Sequence, residues 1–571
     1  MPHENTMSPR RVLVIGLDGA TFDLLLPWAA QGKLPNIQRL LERGASGLLR
    51  SVFPPVTAPA WVSFQTGKNP GKHGVFEFLQ HDESSFELVP VNATMRDGLT
   101  IWDLLSRAGK KVAILGVPVT YPPKPVNGIQ ICGFLAPRGS RDFTYPVSLL
   151  EEIESRFGPF PLYHSEVYAP GHVDAVLDEA FHHLRYKRKL DCALLTEREW
   201  DFAVAYFEGG DRLQHELWHL MEPSHAMHKP KESEAHLARL VAFYEEMDAT
   251  VGDLVALAGD DTAVLVMSDH GFGPIHKYLN FNVWLMEQGL LSLRSDPMSL
   301  VKRALFALGI TPSLGYKLSM ALGFAKQRLK KGVTARSSTF ALVNKVFLSL
   351  ANIDWSRTRA FSRGNYGQIF VNLKGREPFG SVNPGREYEE TVAQIIARLK
   401  EVRDPRTGEP LIGEIYRKEE IYSGPHVPRM PDVVFIPRDM SNKAIGIVDF
   451  TTRRFIEPTF GNSGDHRMDG IFIADGPPFV KGRDVRDPKT NAAEKLSLID
   501  LTPTILHLLG MPVPSDMDGR VLEELFDPAW RAAHPIVPGE PATEKAGKKL
   551  SLSEEDREEI RNRLRGMGYV S

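Results

Sequence analysis

Apolar residues along this chain come in short, nearly unbroken runs. They are VLVIGLD (12–18), KVAILGVP (111–118), FAVAYFE (202–208), AVLVMSD (263–269), DVVFIP (432–437) and GIFIAD (470–475). Each is β-rich and too short for a core helix, and most are apolar nearly throughout. That pattern is expected of strands covered on both faces. Between them lie segments such as LPNIQRLLERG (34–44) and TIWDLLSRAGK (100–110), which read as helices. Strand–helix alternation of this kind predicts an α/β fold: a mostly parallel central sheet with helices on both faces.

Three regions interrupt the alternation. Residues 136–200 read as mainly helical and aromatic-rich, a cap-like insertion. Residues 286–359 read as a second helical insertion, strongly basic: 291–360 carries twelve Lys/Arg against two Asp/Glu. The tail 531–571 opens Pro- and Ala-rich and closes in a charged helix, with Ser553 as its cap and a stop at Gly566. The expected organisation is one catalytic α/β domain in two parts, 8–285 and 360–530, with 136–200 inside the first part and 286–359 between the two.

The 571 residues and 42% hydrophobic content suffice for a large core. A net charge of −3 gives no global attraction to nucleic acid or membrane. Two cysteines, Cys132 and Cys192, give no disulfide framework and fit a reducing compartment. The polar start MPHENTMSPRR does not read as a signal peptide, and no apolar stretch is long enough to span a bilayer. A cytoplasmic location is the expectation.

Ligands in α/β sheets gather beyond the carboxyl ends of the strands. Asp18 follows the first run, in GLDGA. Asp211 and His215 follow the third, in GGDRLQHELWH. Asp269 and His270 end the fourth, in MSDHGFG, and His466 precedes the strand GIFIAD, in GNSGDHRMDG. Each has a plainer reading: Asp18 as a turn or cap residue, Asp211 and His215 as an exposed helical pair, His466 as a loop histidine. His219, four residues beyond His215, is an alternative ligand. Taken together, carboxylates and imidazoles on several strand ends suggest a metal site for zinc or manganese. Three Asp and three His exceed what one catalytic zinc with an open position needs. They suit two divalent ions clamping the oxygens of a phosphoryl transfer.

Thr57 stands in PPVTAPAW (54–61). Pro54 and Pro55 fix an extended approach, Thr57 fits an N-cap, and Pro59 fits the first helical turn. A helix N-terminus also attracts phosphate. Metal coordination would activate the threonine hydroxyl as a nucleophile, and the Ala58 amide would donate to a phosphoryl oxygen.

These segments, VIGLDGA, PPVTAPAWVSFQTGKNPGKHGV, GGDRLQHELWH, MSDHGFG and GDHRMDGIFI, resemble the alkaline phosphatase superfamily. Within it they most resemble type I phosphodiesterases and nucleotide pyrophosphatases, with uncharacterised prokaryotic phosphohydrolase or phosphomutase homologues the nearest likeness overall. The resemblance implies two zinc-like sites, one from Asp211, His215 and His466, the other from Asp18, Thr57, Asp269 and His270. It implies Thr57 as nucleophile, forming a phospho-threonine that water then attacks. Two features depart from it or from its relatives. Phe78 stands where nucleotide pyrophosphatases carry an asparagine after HG. TAPAW lacks the modifiable Cys or Ser of a sulfatase.

The expected function is a two-metal phosphoester hydrolase acting on a phosphorylated small molecule, a nucleotide or a phospholipid-like ester. A phosphomutase or phosphotransferase using the same site is the first alternative, against which Thr57 in place of serine weighs. The second is a degenerate homologue that binds ligand or membrane without catalysis. The basic insertion reads as a helical cap with a solvated charged face or, more sharply, as a surface that meets anionic membrane through 291–360. No motif for sequence-specific nucleic-acid binding is present.

Overall fold

Successive side chains of the strand Arg11–Leu17 enter two different cores. Val12 and Val14 join one apolar cluster, and Leu13, Ile15 and Leu17 join another. Both faces are buried, which is why the run carries no alternation. The computed structural model describes residues 8–81, 88–166, 168, 171–312, 314, 347–446, 450–486, 496–547, 550 and 552–566. This strand lies in a ten-stranded sheet. Five neighbouring strands run parallel in the order Thr262–Met267, Arg11–Leu17, Phe202–Phe207, Val112–Val117 and Gly128–Cys132. Asp469–Asp475 is inserted antiparallel between Thr262–Met267 and Ala45–Arg50, and Thr144–Tyr145 lies antiparallel against Gly128–Cys132. The predicted α/β class and mostly parallel sheet are therefore present.

The long helices Val173–Glu197 and Pro230–Ala258 cover one face. Thr57–Thr66, Ile101–Arg107 and Leu501–Leu508 cover the other. The 136–200 segment is thus largely packed on the sheet, through Val173–Glu197. Among the described residues no helix is long and apolar enough to cross a membrane. Cys132 and Cys192 are both free thiols.

Two of the six apolar runs differ from the expected parallel strands. DVVFIP supplies Val433–Pro437 to a separate four-stranded antiparallel sheet, paired with Gln368–Val371 and Ile412–Arg417. GIFIAD joins the central sheet antiparallel. Periodicity reports only that both faces of a strand are covered; its direction and sheet depend on distant partners. The four-stranded sheet has its own core, with Phe281, Phe361, Ile395 and Phe435 among its members. Buried Asp432 anchors it, bonding Arg376, Lys418 at 2.7 Å and the Tyr388 hydroxyl at 2.8 Å. Of the basic insertion, residues 313 and 315–346 lie outside the described residues.

Helix Thr57–Thr66 is buried along its whole length. It is seated by Trp61, which meets Tyr206 and Phe64 edge-on at 5.1 and 5.3 Å. A Cβ at Gly16 would lie 2.5 Å from the Trp61 ring. The glycine therefore lets the helix approach the central strand. Gly16→Ala is expected to destabilise the fold by about 1–3 kcal/mol through overpacking, read from urea denaturation. It should also lower activity, since the displaced helix begins at Thr57. Unchanged stability would show that the tryptophan yields freely.

Candidate functional site

Three neighbouring parallel strands deliver the acidic groups. Asp18 follows Arg11–Leu17, and Asp269 with His270 follows Thr262–Met267. Asp211 lies in the first turn of helix Gly209–Met221, just beyond Phe202–Phe207. His215 is one turn further along that helix, so it shares a face with Asp211. His466 arrives from elsewhere. It lies on Gly464–Arg467, which pairs antiparallel with Gly271–Pro274 so that His466 stands opposite Phe272.

The side chains form two groups, Asp211 with His215 and His466, and Asp18 with Asp269 and His270. In the first, Asp211 lies 3.6 Å from His215 Nε2 and 3.3 Å from His466 Nε2. In the second, His270 Nε2 lies 3.4 Å from both Asp18 and Asp269. The His270 and His466 rings stack at 3.6 Å, which joins the groups into one site. Thr57 Oγ1 lies 3.4 Å from His270 Nε2. All seven side chains are 0–1% exposed.

Thr57 is not the N-cap. Val56 holds that position, extended at φ −119°, and no side chain caps the helix. The extended approach set by the prolines runs one residue further than expected, and Val56 O accepts the first intrahelical bond from Ala60 N at 3.0 Å. The Thr57 hydroxyl is therefore not used in capping and faces His270. The Ala58 amide stands in the first turn, where helical N–H groups lack intrahelical partners. His219 does not enter the site: its ring meets Ser463 at 3.0 Å and Tyr168 at 3.3 Å. Phe78 is fully buried and packs against Phe134 at 6.1 Å, so it is a core residue.

The donor set fits divalent cations. Each site histidine places Nδ1 on a backbone carbonyl: His215 on Gly464 at 3.1 Å, His270 on Gly271 at 3.1 Å and His466 on Pro55 at 2.7 Å. That contact fixes the tautomer and turns the Nε2 lone pair toward the carboxylates. Burial pushes His215 and His466 down to about 4, and His270 well below its ordinary value, so the rings are neutral and able to ligate. Burial, with repulsion from Asp269 and Asp211, holds Asp18 well above the carboxylate range. Burial also pushes Asp269 up to about 7. Asp18 Oδ1 and Asp269 Oδ2 are buried with no hydrogen-bond partner. Buried carboxylates crowded in this way call for positive charge.

Four supporting residues were not anticipated. Tyr206 donates its hydroxyl to Asp18 Oδ2. Its polar tip inside FAVAYFE was the available signal. Asp465 sits beside His466 and accepts from the Tyr366 hydroxyl at 2.7 Å, while Lys443 Nζ lies 2.8 Å away. Tyr366 also stacks on His466 at 5.5 Å. Tyr366 comes from the turn between Ala360–Ser362 and Gln368–Val371 of the four-stranded sheet, and Lys443 from the strand Asn442–Ile445; nothing local in the sequence marks them. A further grouping, His164, Glu179 and His183, already contains a cation: Arg212 Nη1 donates to His164 Nδ1 at 2.7 Å and to Glu179 at 2.6 Å. Beside the site, a cleft of about 540 Å³ is lined by Thr21, Phe22, Phe272, Met440 and Arg467 among others.

Comparison with family models decides the assignment. The model for type I phosphodiesterase / nucleotide pyrophosphatase matches residues 12–442. The chain belongs to this family, whose members are metal-dependent phosphoester hydrolases. Its fold is similar to phosphonoacetate hydrolase from Sinorhizobium meliloti 1021, solved with phosphonoformate and with phosphonoacetate. Each match has 16% identity and a TM-score of 0.50, covering 88% of this chain and 98% of that one. Human ectonucleotide pyrophosphatase / phosphodiesterase 5 aligns at 13% identity and a TM-score of 0.47, over 90% of this chain and all of that one. Comparison with curated proteins gives no match. The alkaline phosphatase-like architecture expected from the sequence is thus present, in a phosphoester-hydrolase family.

Two outcomes follow from the site. Asp269 has a raised folded-state value near 7, so the metal-free protein should lose stability as pH rises from about 4 through 7. Added Zn or Mn should then raise the melting temperature more at pH 8 than at pH 5, measured by calorimetry of chelated and reloaded protein. Equal shifts at both pH values would separate these carboxylates from metal binding. Asp465→Asn or Lys443→Met should weaken metal affinity or activity by roughly 10–100-fold, as loss of an outer partner does. Competitive chelator titration is the measurement, and unaltered affinity with unaltered turnover would remove the clamp from the site's support.

Proposed function

We propose that this protein is a two-metal phosphodiesterase or nucleotide pyrophosphatase that works through Thr57. The observation that carries the reading is the position of the Thr57 hydroxyl. It is buried at a helix N-terminus, spared from capping, and 3.4 Å from His270 of the group formed with Asp18 and Asp269. Asp211, His215 and His466 would hold one ion. Asp18, Thr57, Asp269 and His270 would hold the other. Two such ions, Zn or Mn, would supply Lewis-acid charge that lowers the threonine pKa and neutralises the phosphoryl oxygens.

The chain's own groups do the rest. The helix start orients the phosphoryl group, with the Ala58 amide donating to one of its oxygens. Thr57 Oγ forms a bond to phosphorus as the ester oxygen leaves with its electron pair. Water then attacks phosphorus from the opposite side, freeing Thr57 and releasing phosphate or a phosphomonoester. Convergence of all seven side chains weighs against a degenerate relative. The natural substrate would be a phosphorylated small molecule, nucleotide or phospholipid-like ester. Two free thiols and the absence of any disulfide pair support a cytoplasmic setting.

Hydrolysis of bis-p-nitrophenyl phosphate and of p-nitrophenyl phosphate, with metal-loaded protein, tests the reading. Thr57→Ala should lower diester turnover by at least about a thousandfold, the scale of losing a catalytic nucleophile. Thr57→Ser should retain part of it. Metal content should stay near two per chain in Thr57→Ser. Monoester cleavage without diester cleavage would move the assignment to a phosphatase or phosphomutase. Full activity of Thr57→Ala would overturn the nucleophile.

A further inference from the structure

The helix Pro297–Ala307 is built inside out. Its inward face is polar: Ser299 and Lys302 are buried with Phe306. Asn352 serves that face, donating to Ser299 Oγ at 3.0 Å and accepting from Lys302 Nζ at 3.4 Å. Asp296 caps the helix through Ser299 N at 3.0 Å. The outward face is apolar. Met298, Leu300 and Val301 are 49–62% exposed, Leu308 is 75% exposed, and Ile310 and Leu314 follow. Among the described residues, eleven large hydrophobic side chains are exposed, and six fall in this stretch of seventeen positions. Chance scatter places exposed apolar residues singly, whereas a contiguous patch marks a contact surface.

The surroundings of the patch are cationic. Arg294 and Arg303 are exposed on the helix and its approach, and exposed Arg453 reaches the helix end, donating to Ala307 O at 3.0 Å. Among the described residues none of the three makes an ion pair with a carboxylate; Asp296 is the sole acid on the helix and serves as its cap. A second copy of this chain seated here about a two-fold axis would bring arginines against arginines. The segment that follows in sequence, 315–346, contains seven Lys/Arg and no Asp or Glu, so its charge opposes rather than complements the patch. An anionic lipid surface satisfies both features at once: headgroups meet the cations and the acyl boundary receives the apolar side chains.

We propose that Met298, Leu300, Val301, Leu308 and Ile310, rimmed by Arg294, Arg303 and Arg453, form a docking face for an anionic membrane. This goes beyond the catalytic reading and does not depend on it. The test is sedimentation of the full chain with phosphatidylcholine vesicles, with and without phosphatidylserine. The protein should sediment with the anionic vesicles alone, and high salt should release it. Leu300→Asp combined with Val301→Asp should lower vesicle affinity at least about tenfold. Both side chains are exposed, so the fold and the hydrolysis of a soluble ester should be unchanged. Val147→Asp, at an exposed valine elsewhere, controls for added charge and should leave sedimentation as it was. Failure to sediment with anionic vesicles would overturn the proposal. So would equal binding by the double variant, an equal loss in Val147→Asp, or self-association that the double variant abolishes.

Discussion

Three carboxylates, Asp18, Asp211 and Asp269, are buried together at the ends of three adjacent strands. Burial first, and then repulsion from Asp211, raises the proton affinity of both Asp18 and Asp269. An arrangement so costly in the absence of cations persists only where the surrounding fold holds it rigidly. The parallel register of the central sheet does this. It fixes the strand ends side by side, and each strand is locked by apolar burial on both faces.

Around that core of charge, neutral imidazoles are aimed by backbone carbonyls rather than by other side chains. The carbonyls belong to Gly464, Gly271 and Pro55, in three different loops or strands. The orientation of the three rings is thereby tied to backbone position, which a well-packed fold controls tightly. The helix carrying Thr57 obeys the same logic. Its placement depends on the Trp61 ring reaching a strand at a glycine, so the position of the Thr57 hydroxyl rests on packing several residues away.

The four-stranded sheet takes part in the site rather than merely adjoining it. Its hairpin sends Tyr366, and the small sheet beside it sends Lys443, to the carboxylate of Asp465. Lys443 keeps that carboxylate ionised despite burial. The clamp borders both His215 and His466, so a change in how the four-stranded sheet packs on the central one would be felt by these two histidines. The outward apolar helix Pro297–Ala307 shows a surface organised by a different requirement, one in which polar groups are buried and apolar ones face outward.

The sequence by itself determined the α/β class, the strand ends that carry Asp18, Asp211, Asp269 and His270, and the family. These follow from local signals: unbroken apolar runs, Asp or Asp-His directly after them, and Thr57 after two prolines. Tertiary structure decided what local pattern does not encode. It chose His215 over His219, because only one of two histidines a turn apart faces Asp211 and His466, and it moved the cap from Thr57 to Val56. It sent DVVFIP to another sheet, because a doubly covered strand reads alike in either. It brought Tyr366 and Lys443 to Asp465 from positions 99 and 22 residues away. Spacing along the chain reports short-range geometry, whereas the partner of a buried charge is fixed by long-range packing, which leaves no periodic trace.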